Sequence, residues 1–170
     1  MADHRTPVWG IHTGRPRGQS PEVHRYLVAK TDKLFMRGNI ALGWPQMGDL
    51  SRLPNDRAAF REEVASFGHG TSPRTIGADA GMLFRFVYEM KPGDLVVYRS
   101  PGDNLIHVGR VVGPYRHDTS LSEEYHHLRH VDWLAAHARD VLSAEAQRSL
   151  MARRSLFQVR AGADDFRAAV

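Results

Sequence analysis

Two β-prone runs separated by a short turn set the strongest limit on the fold. Leu95-Val96-Val97-Tyr98-Arg99-Ser100 and Leu105-Ile106-His107-Val108-Gly109-Arg110-Val111-Val112 flank Pro101-Gly102-Asp103-Asn104, which has the composition of a hairpin connection. Pro92-Gly93-Asp94 turns the chain into the first run, and Gly113-Pro114 bends it after the second. Helical patterns lie before this hairpin and further strands after it. Strands and helices therefore do not alternate beyond Ser100, and a doubly wound parallel sheet fits poorly. The order predicts an α+β domain whose antiparallel or mixed sheet curls into a small barrel, with helices packed outside.

The remaining elements follow from local signals. Pro7-Val8-Trp9-Gly10-Ile11-His12 reads as a first strand and Asn39-Ile40-Ala41-Leu42-Gly43-Trp44 as a second, ended by Pro45. Between them, Ser20 and Pro21 have the cap and first-position chemistry of a short helix. Asn55 is the expected cap of a helix running to about Phe67, in which Phe60, Val64 and Phe67 recur at helical spacing. Residues 78–90 predict another helix, with Met82, Phe86 and Met90 on one stripe. Residues 125–134 read as a strand, Ser143 as the cap of a helix through Leu150, and residues 155–159 as a last short strand. Residues 1–6 and 161–170 are expected to be tails, the second a tail or linker.

Length and composition narrow the class. A chain of 170 residues with 42% hydrophobic and 25% charged side chains suits one soluble domain. It has no cysteine, which excludes disulfides, thiolate zinc sites, iron–sulfur clusters and a cysteine nucleophile. No apolar run approaches a membrane span, and Met-Ala-Asp-His-Arg lacks the apolar core of a signal peptide. A cytoplasmic protein with no membrane partner is expected. The net charge is +4, and it is uneven. Arg15, Arg17, Arg25, Lys30, Lys33 and Arg37 face only Glu22 and Asp32 in one segment, and Arg148, Arg153, Arg154 and Arg160 form a second cluster. Such clusters suit an anionic partner such as nucleic acid, and equally a solvated face built from arginine.

Catalytic motifs are weak. Glu89-Met90-Lys91 with Asp79 upstream has the spacing of a metal-dependent nuclease, in which two carboxylates would share a divalent cation. That motif normally lies on a strand, and here it falls at a helix end and a turn. His126-His127-Leu128-Arg129-His130, with His117 and Asp118 nearby, offers imidazoles. On a strand, however, His127 points away from His126 and His130, so no tight metal cluster follows. No Gly-x-Ser-x-Gly, P-loop or dinucleotide fingerprint is present. The chain reads as a non-catalytic binding module without cofactor or metal.

Aromatic side chains stand beside turns and strand ends: Trp9, Trp44, Tyr98, Tyr115 and Trp133. Rings in such places either fill the core, the simpler reading for Trp9 and Trp133, or wall a pocket in which a flat base stacks. Trp44, between Gly43 and Pro45 at a strand end, is expected to face a cleft.

An ordered series of segments then becomes specific. Val8-Trp9-Gly10-Ile11, Ile40-Ala41-Leu42-Gly43-Trp44, Gly48-Asp49-Leu50-Ser51 and the run Phe84-Arg85-Phe86-Val87-Tyr88-Glu89-Met90-Lys91-Pro92-Gly93-Asp94-Leu95-Val96-Val97 occur in that order. They are followed by Ile106-His107-Val108-Gly109-Arg110-Val111-Val112-Gly113-Pro114-Tyr115 and His126-His127-Leu128-Arg129-His130-Val131-Asp132-Trp133-Leu134. Across residues 7–160 the series resembles the N-terminal domain of Mrr-like modification-dependent restriction proteins, in the PUA superfamily near its EVE and YTH branches.

The resemblance implies a PUA-like pseudo-barrel that reads a modified, methylated base in DNA by flipping it into an aromatic cage. It implies base-pocket roles for Trp9, Gly10, Trp44, Asp49, Leu50, Ser51, Tyr98 and Ser100, and phosphate contacts for Arg15, Arg17, Lys33, Arg37 and Arg116. The segment from Arg15 to Met36 is longer and more basic than the usual connection, which makes it a candidate DNA-contacting arm. In restriction proteins the domain is joined to a nuclease or NTPase part, so the resemblance implies either such a domain or partner or a stand-alone reader. A YTH-like reader of modified RNA and the metal-dependent nuclease of Asp79, Glu89 and Lys91 stand as alternatives.

Overall fold

The computed structural model describes residues 5–14, 18–68 and 72–170. Its centre is a strongly curled mixed sheet of seven strands forming a half-barrel. The strands are β1 (Val8–Ile11), β2 (Asn39–Leu42), β3 (Leu95–Arg99), β4 (Ile106–Val111), β5 (Arg116–His117), β6 (His127–His137) and β7 (Leu156–Val159). They run in the order β2-β6-β4-β3-β1-β7, with β5 also on β6. Among the described residues, only β1 and β3 pair in parallel; every other pairing is antiparallel. The hairpin of β3 and β4 forms as expected, with Tyr98 opposite His107.

Curling is concentrated in β6. Its first residues pair with β2, Asn39 opposite His130, and its later ones with β4. The register slips between Val108 and Gly109, which oppose Ala135 and Trp133 and leave Leu134 bulged and exposed. A bulge bends and twists its strand, and Gly109 permits the close approach. A Cβ there would lie 2.5 Å from Val131 Cγ1 and 2.8 Å from the Asp132 carbonyl oxygen.

Strand alternation divides the core into two layers. Trp9, Val96 and Tyr98 face a cluster built with α2 (Arg57–Ser66) and α3 (Pro73–Phe84), including Phe60, Val64, Leu83 and Phe84. Val8, Leu95, Val97 and Val108 face the opposite way. There Leu142, Ala146 of α4 (Ala144–Ser149) and Ala163 and Phe166 of α5 (Ala163–Ala168) cover them. Residues 161–170 are thus no tail. Phe166 is fully buried, and Arg167 Nε donates to the Thr6 carbonyl at 3.0 Å, tying the two ends of the domain together. Short hydrophobic endings read as linkers in sequence because their partners lie far along the chain.

Helix boundaries moved for local reasons. Asp56, not Asn55, caps α2 by accepting the Ala58 N–H at 3.1 Å. Helix α3 starts at Pro73, five residues earlier than the apolar stripe suggests, because Ser72 caps it and accepts the Thr75 N–H. It then widens into a π turn over Arg85–Glu89. Helix α1 (Pro21–Met36) runs sixteen residues, longer than the short helix expected. Ser20 Oγ accepts the Val23 N–H at 3.2 Å. Ser20→Ala is expected to cost about 1 kcal/mol of stability, measured by urea unfolding. A change indistinguishable from zero would show that α1 is held by its packing alone.

Candidate functional site

A cavity of about 560 Å3 opens between the end of β1, α1, the end of β2, α3 and the segment leading into β7. Among the described residues, Trp44, Tyr125 and His12 supply rings to its wall, Asp79 a carboxylate, and Arg153 and Arg154 guanidinium groups. The volume lies in the range of small-molecule sites.

Trp44 is held there in an uncommon backbone conformation. Its φ of 60° and ψ of 51° are left-handed, which costs a bulky L-residue roughly 1–2 kcal/mol. A residue before proline is normally pushed towards extended geometry as well. A buried relay holds it. The Trp44 carbonyl accepts the Met47 N–H and the His127 Nε2–H, each at 3.1 Å. A carbonyl only accepts, so Nε2 carries the proton and Nδ1 is the acceptor. Tyr115 Oη, 2.7 Å away, donates to Nδ1. The same Tyr115 oxygen accepts the Leu50 N–H at 3.1 Å. The Tyr115 and His127 rings stack with centroids 5.9 Å apart. Burial above all pushes the His127 imidazole down to about 4, and Tyr115 up to about 12, so both are neutral in this relay near pH 7.

The expected cage does not assemble as a unit. Trp44 lines the cavity, but Trp9 and Tyr98 do not. Trp9 is a core residue whose Nε1–H donates to Asp94 Oδ2 at 2.9 Å, and the Lys91 N–H donates to the same oxygen. The Met-Lys-Pro-Gly-Asp turn is thereby latched to β1. Tyr98 is buried among Phe35 and Trp133, with ring centroids 4.8 Å and 6.3 Å away. Its hydroxyl donates to Asp32 Oδ1 at 3.2 Å, and the Ser100 hydroxyl donates to the same atom at 2.8 Å. Tyr98 and Ser100 therefore anchor α1 to the hairpin. Gly10 packs beneath Phe157, whose ring would lie 2.2 Å from a Cβ there.

The turn of Asp49, Leu50 and Ser51 acts through its backbone. Asp49 Oδ1 accepts the Ser51 N–H and hydroxyl, which hold its carboxyl below the usual range. Leu50 is fully buried, and its N–H feeds the Tyr115 relay. Ser51 is exposed.

The basic residues divide in the same way. Lys33 and Arg37 line, with Lys30, a groove of about 440 Å3 between α1 and Leu121-Ser122. Arg116 is engaged with Asp118 at 3.6 Å and with Asn39 Oδ1 at 3.3 Å. Arg15 and Arg17 lie outside the described residues. Asp79 and Glu89 of the nuclease alternative each meet guanidinium groups, Asp79 that of Arg154 at 3.5 Å and Glu89 those of Arg57 and Arg85. Among the described residues, no three His, Asp or Glu side chains form a group able to hold a metal ion.

Several cavity residues were missed by sequence reasoning. Arg153 and Arg154 belong to the C-terminal basic cluster, a visible signal with no address on the fold. Tyr125 and Met82 carry no signal beyond apolar spacing. A family model described as Domain of unknown function (DUF8426) matches residues 28–160. No curated protein and no solved structure matches the chain.

Proposed function

The chain belongs to the DUF8426 family, and for this member of it we propose a reader of a modified base in DNA. The curled sheet is taken as a PUA-like pseudo-barrel, and the methylated base, everted from the strand, enters the cavity beside Trp44. The observation that carries this reading is the left-handed Trp44, fixed by a buried relay on the wall of a cavity large enough for a base. Strain of this kind persists where the surroundings over-determine it and points to function.

Stacking on an aromatic face contributes about 1–3 kcal/mol per base, and eversion costs a few kcal/mol. Polar groups in the wall must supply the difference. Lys30, Lys33 and Arg37 offer sequence-independent phosphate contacts. Lys33 lies six residues beyond Leu27, a lining residue of the cavity, and so about 9 Å along the helix axis. A strand with one base in the cavity reaches the groove through its neighbouring phosphates. Recognition is the role proposed for this chain, cleavage that of a separate domain or partner.

The test is a binding screen across DNA and RNA oligonucleotides differing in one modified base, repeated with Trp44→Ala. The preference for modified over plain DNA is expected to fall by about tenfold or more, while salt-sensitive background binding persists. A preference that survives Trp44→Ala, or an equal loss of both, overturns the reading. Tighter binding to RNA would reassign the ligand.

A further inference from the structure

The C-terminal basic cluster has no role in stacking or in the α1 groove, yet two of its members line the cavity. We propose that Arg153, with Arg154 and Ser155 beside it, forms a phosphate subsite in the cavity wall, so that the ligand is a nucleotide gripped by its own backbone charge rather than a neutral ring. This rests on the base-reading proposal and adds the chemistry of the group next to the base.

Arg153 is exposed and lines the cavity, and among the described residues it has no ion pair or hydrogen bond. Arg154 has Asp79 at 3.5 Å, so its charge is partly opposed. Asp79 is the one acidic residue among the described lining residues, against two arginines, and the wall keeps a positive excess. The roots of these side chains are fixed. The His12 N–H donates to the Ser155 carbonyl at 2.9 Å, and His12 Nε2 donates to the Ala152 carbonyl at 2.6 Å. Directly beyond, Leu156 pairs with Ile11 in the sheet. Residues 152–156 are thus bracketed to β1, and Arg153 projects from a fixed base with its donors unused. A guanidinium presents a planar fork that suits two phosphate oxygens at once. Arg148 and Arg160, from the same cluster, do not line the cavity.

The test uses single strands carrying 5-methylcytosine or N6-methyladenine at one position. The linkage on the 5′ or the 3′ side of that nucleotide is either a natural phosphodiester or a neutral methylphosphonate, and affinity is read by fluorescence anisotropy. Neutralising one of the two linkages is expected to weaken wild-type binding about tenfold, the scale of one charge-assisted contact. Arg153→Gln is expected to weaken binding to the natural strand by the same factor and to lose nothing more when that linkage is neutral. Arg160→Gln is expected to behave as wild type. A wild type indifferent to both neutral linkages, or an Arg153→Gln variant that keeps the full penalty, overturns the subsite. If the Arg153 coupling appears but no modified base is preferred, the subsite stands and the base-reading proposal fails. Arg153 is exposed, so circular dichroism should show an unchanged fold.

Discussion

Replacing Arg129 by methionine is expected to cost about 3–5 kcal/mol, the largest loss of any single change considered for this protein. Arg129 is 2% exposed, and its guanidinium satisfies three carbonyls. Nε donates to Phe86 at 2.8 Å, Nη2 to Val87 at 3.0 Å and Nη1 to Gly113 at 3.1 Å. Two of those carbonyls lie in the π turn that ends α3, where the last carbonyls of a helix have no partner of their own. A residue of β6 therefore caps a helix distant in sequence and pins the bend at Gly113 to it. Burial pushes the guanidinium down to about 10, leaving it charged at neutral pH.

Methionine fills much of the volume and removes every donor, so three carbonyls lose their partner together. Lysine, with one compact ammonium, is expected to recover part of the loss. Urea unfolding of the three proteins measures it. A methionine variant within about 1 kcal/mol of wild type would mean that water enters and replaces the guanidinium.

The second large effect is expected at His127. Its pKa is about 6.5 unfolded and about 4 folded. Between those values the unfolded chain binds more protons, so stability rises with pH across that window and falls as acid is added. A shift of this size corresponds to about 3 kcal/mol, lost progressively from pH 6.5 to pH 4. The titratable groups facing the ring are His117 and His126, which lower its pKa, and Asp49, which raises it; burial outweighs them.

His127→Gln keeps a donor able to reach the Trp44 carbonyl but does not titrate. It is expected to retain modified-base binding at pH 7 and to flatten the acid limb of the stability profile. His127→Leu removes both hydrogen bonds and should cost about 1–3 kcal/mol, releasing Trp44 from its left-handed geometry and lowering binding with it. An acid limb unchanged in the glutamine variant would show that another group governs it.

How much of this was legible in sequence depends on how local each cause is. The β3–β4 hairpin is written in its turn residues. The cleft position of Trp44 follows from Gly43 and Pro45 at the end of a strand. Trp9 read more simply as core and entered the cage only through the resemblance; an indole N–H in a core needs an acceptor, and that acceptor is Asp94, 85 positions away. Tyr98 and Ser100 carry hydroxyls that a base could use, yet both are committed to Asp32 on α1. The same Met-Lys-Pro-Gly-Asp turn that supported a family resemblance proved to be a structural latch.

The sequence by itself determined the α+β order, the hairpin, the caps at Ser20 and Ser143 and the uneven charge, because each depends on neighbours within a few residues. Tertiary structure alone decided which aromatic rings face a cavity, which arginines remain unpaired and that Phe166 belongs to the core. Those outcomes depend on the pairing and curl of the whole sheet, which sets residues remote in the chain side by side. Whether a buried polar group is available to a ligand is decided by the partner it meets there.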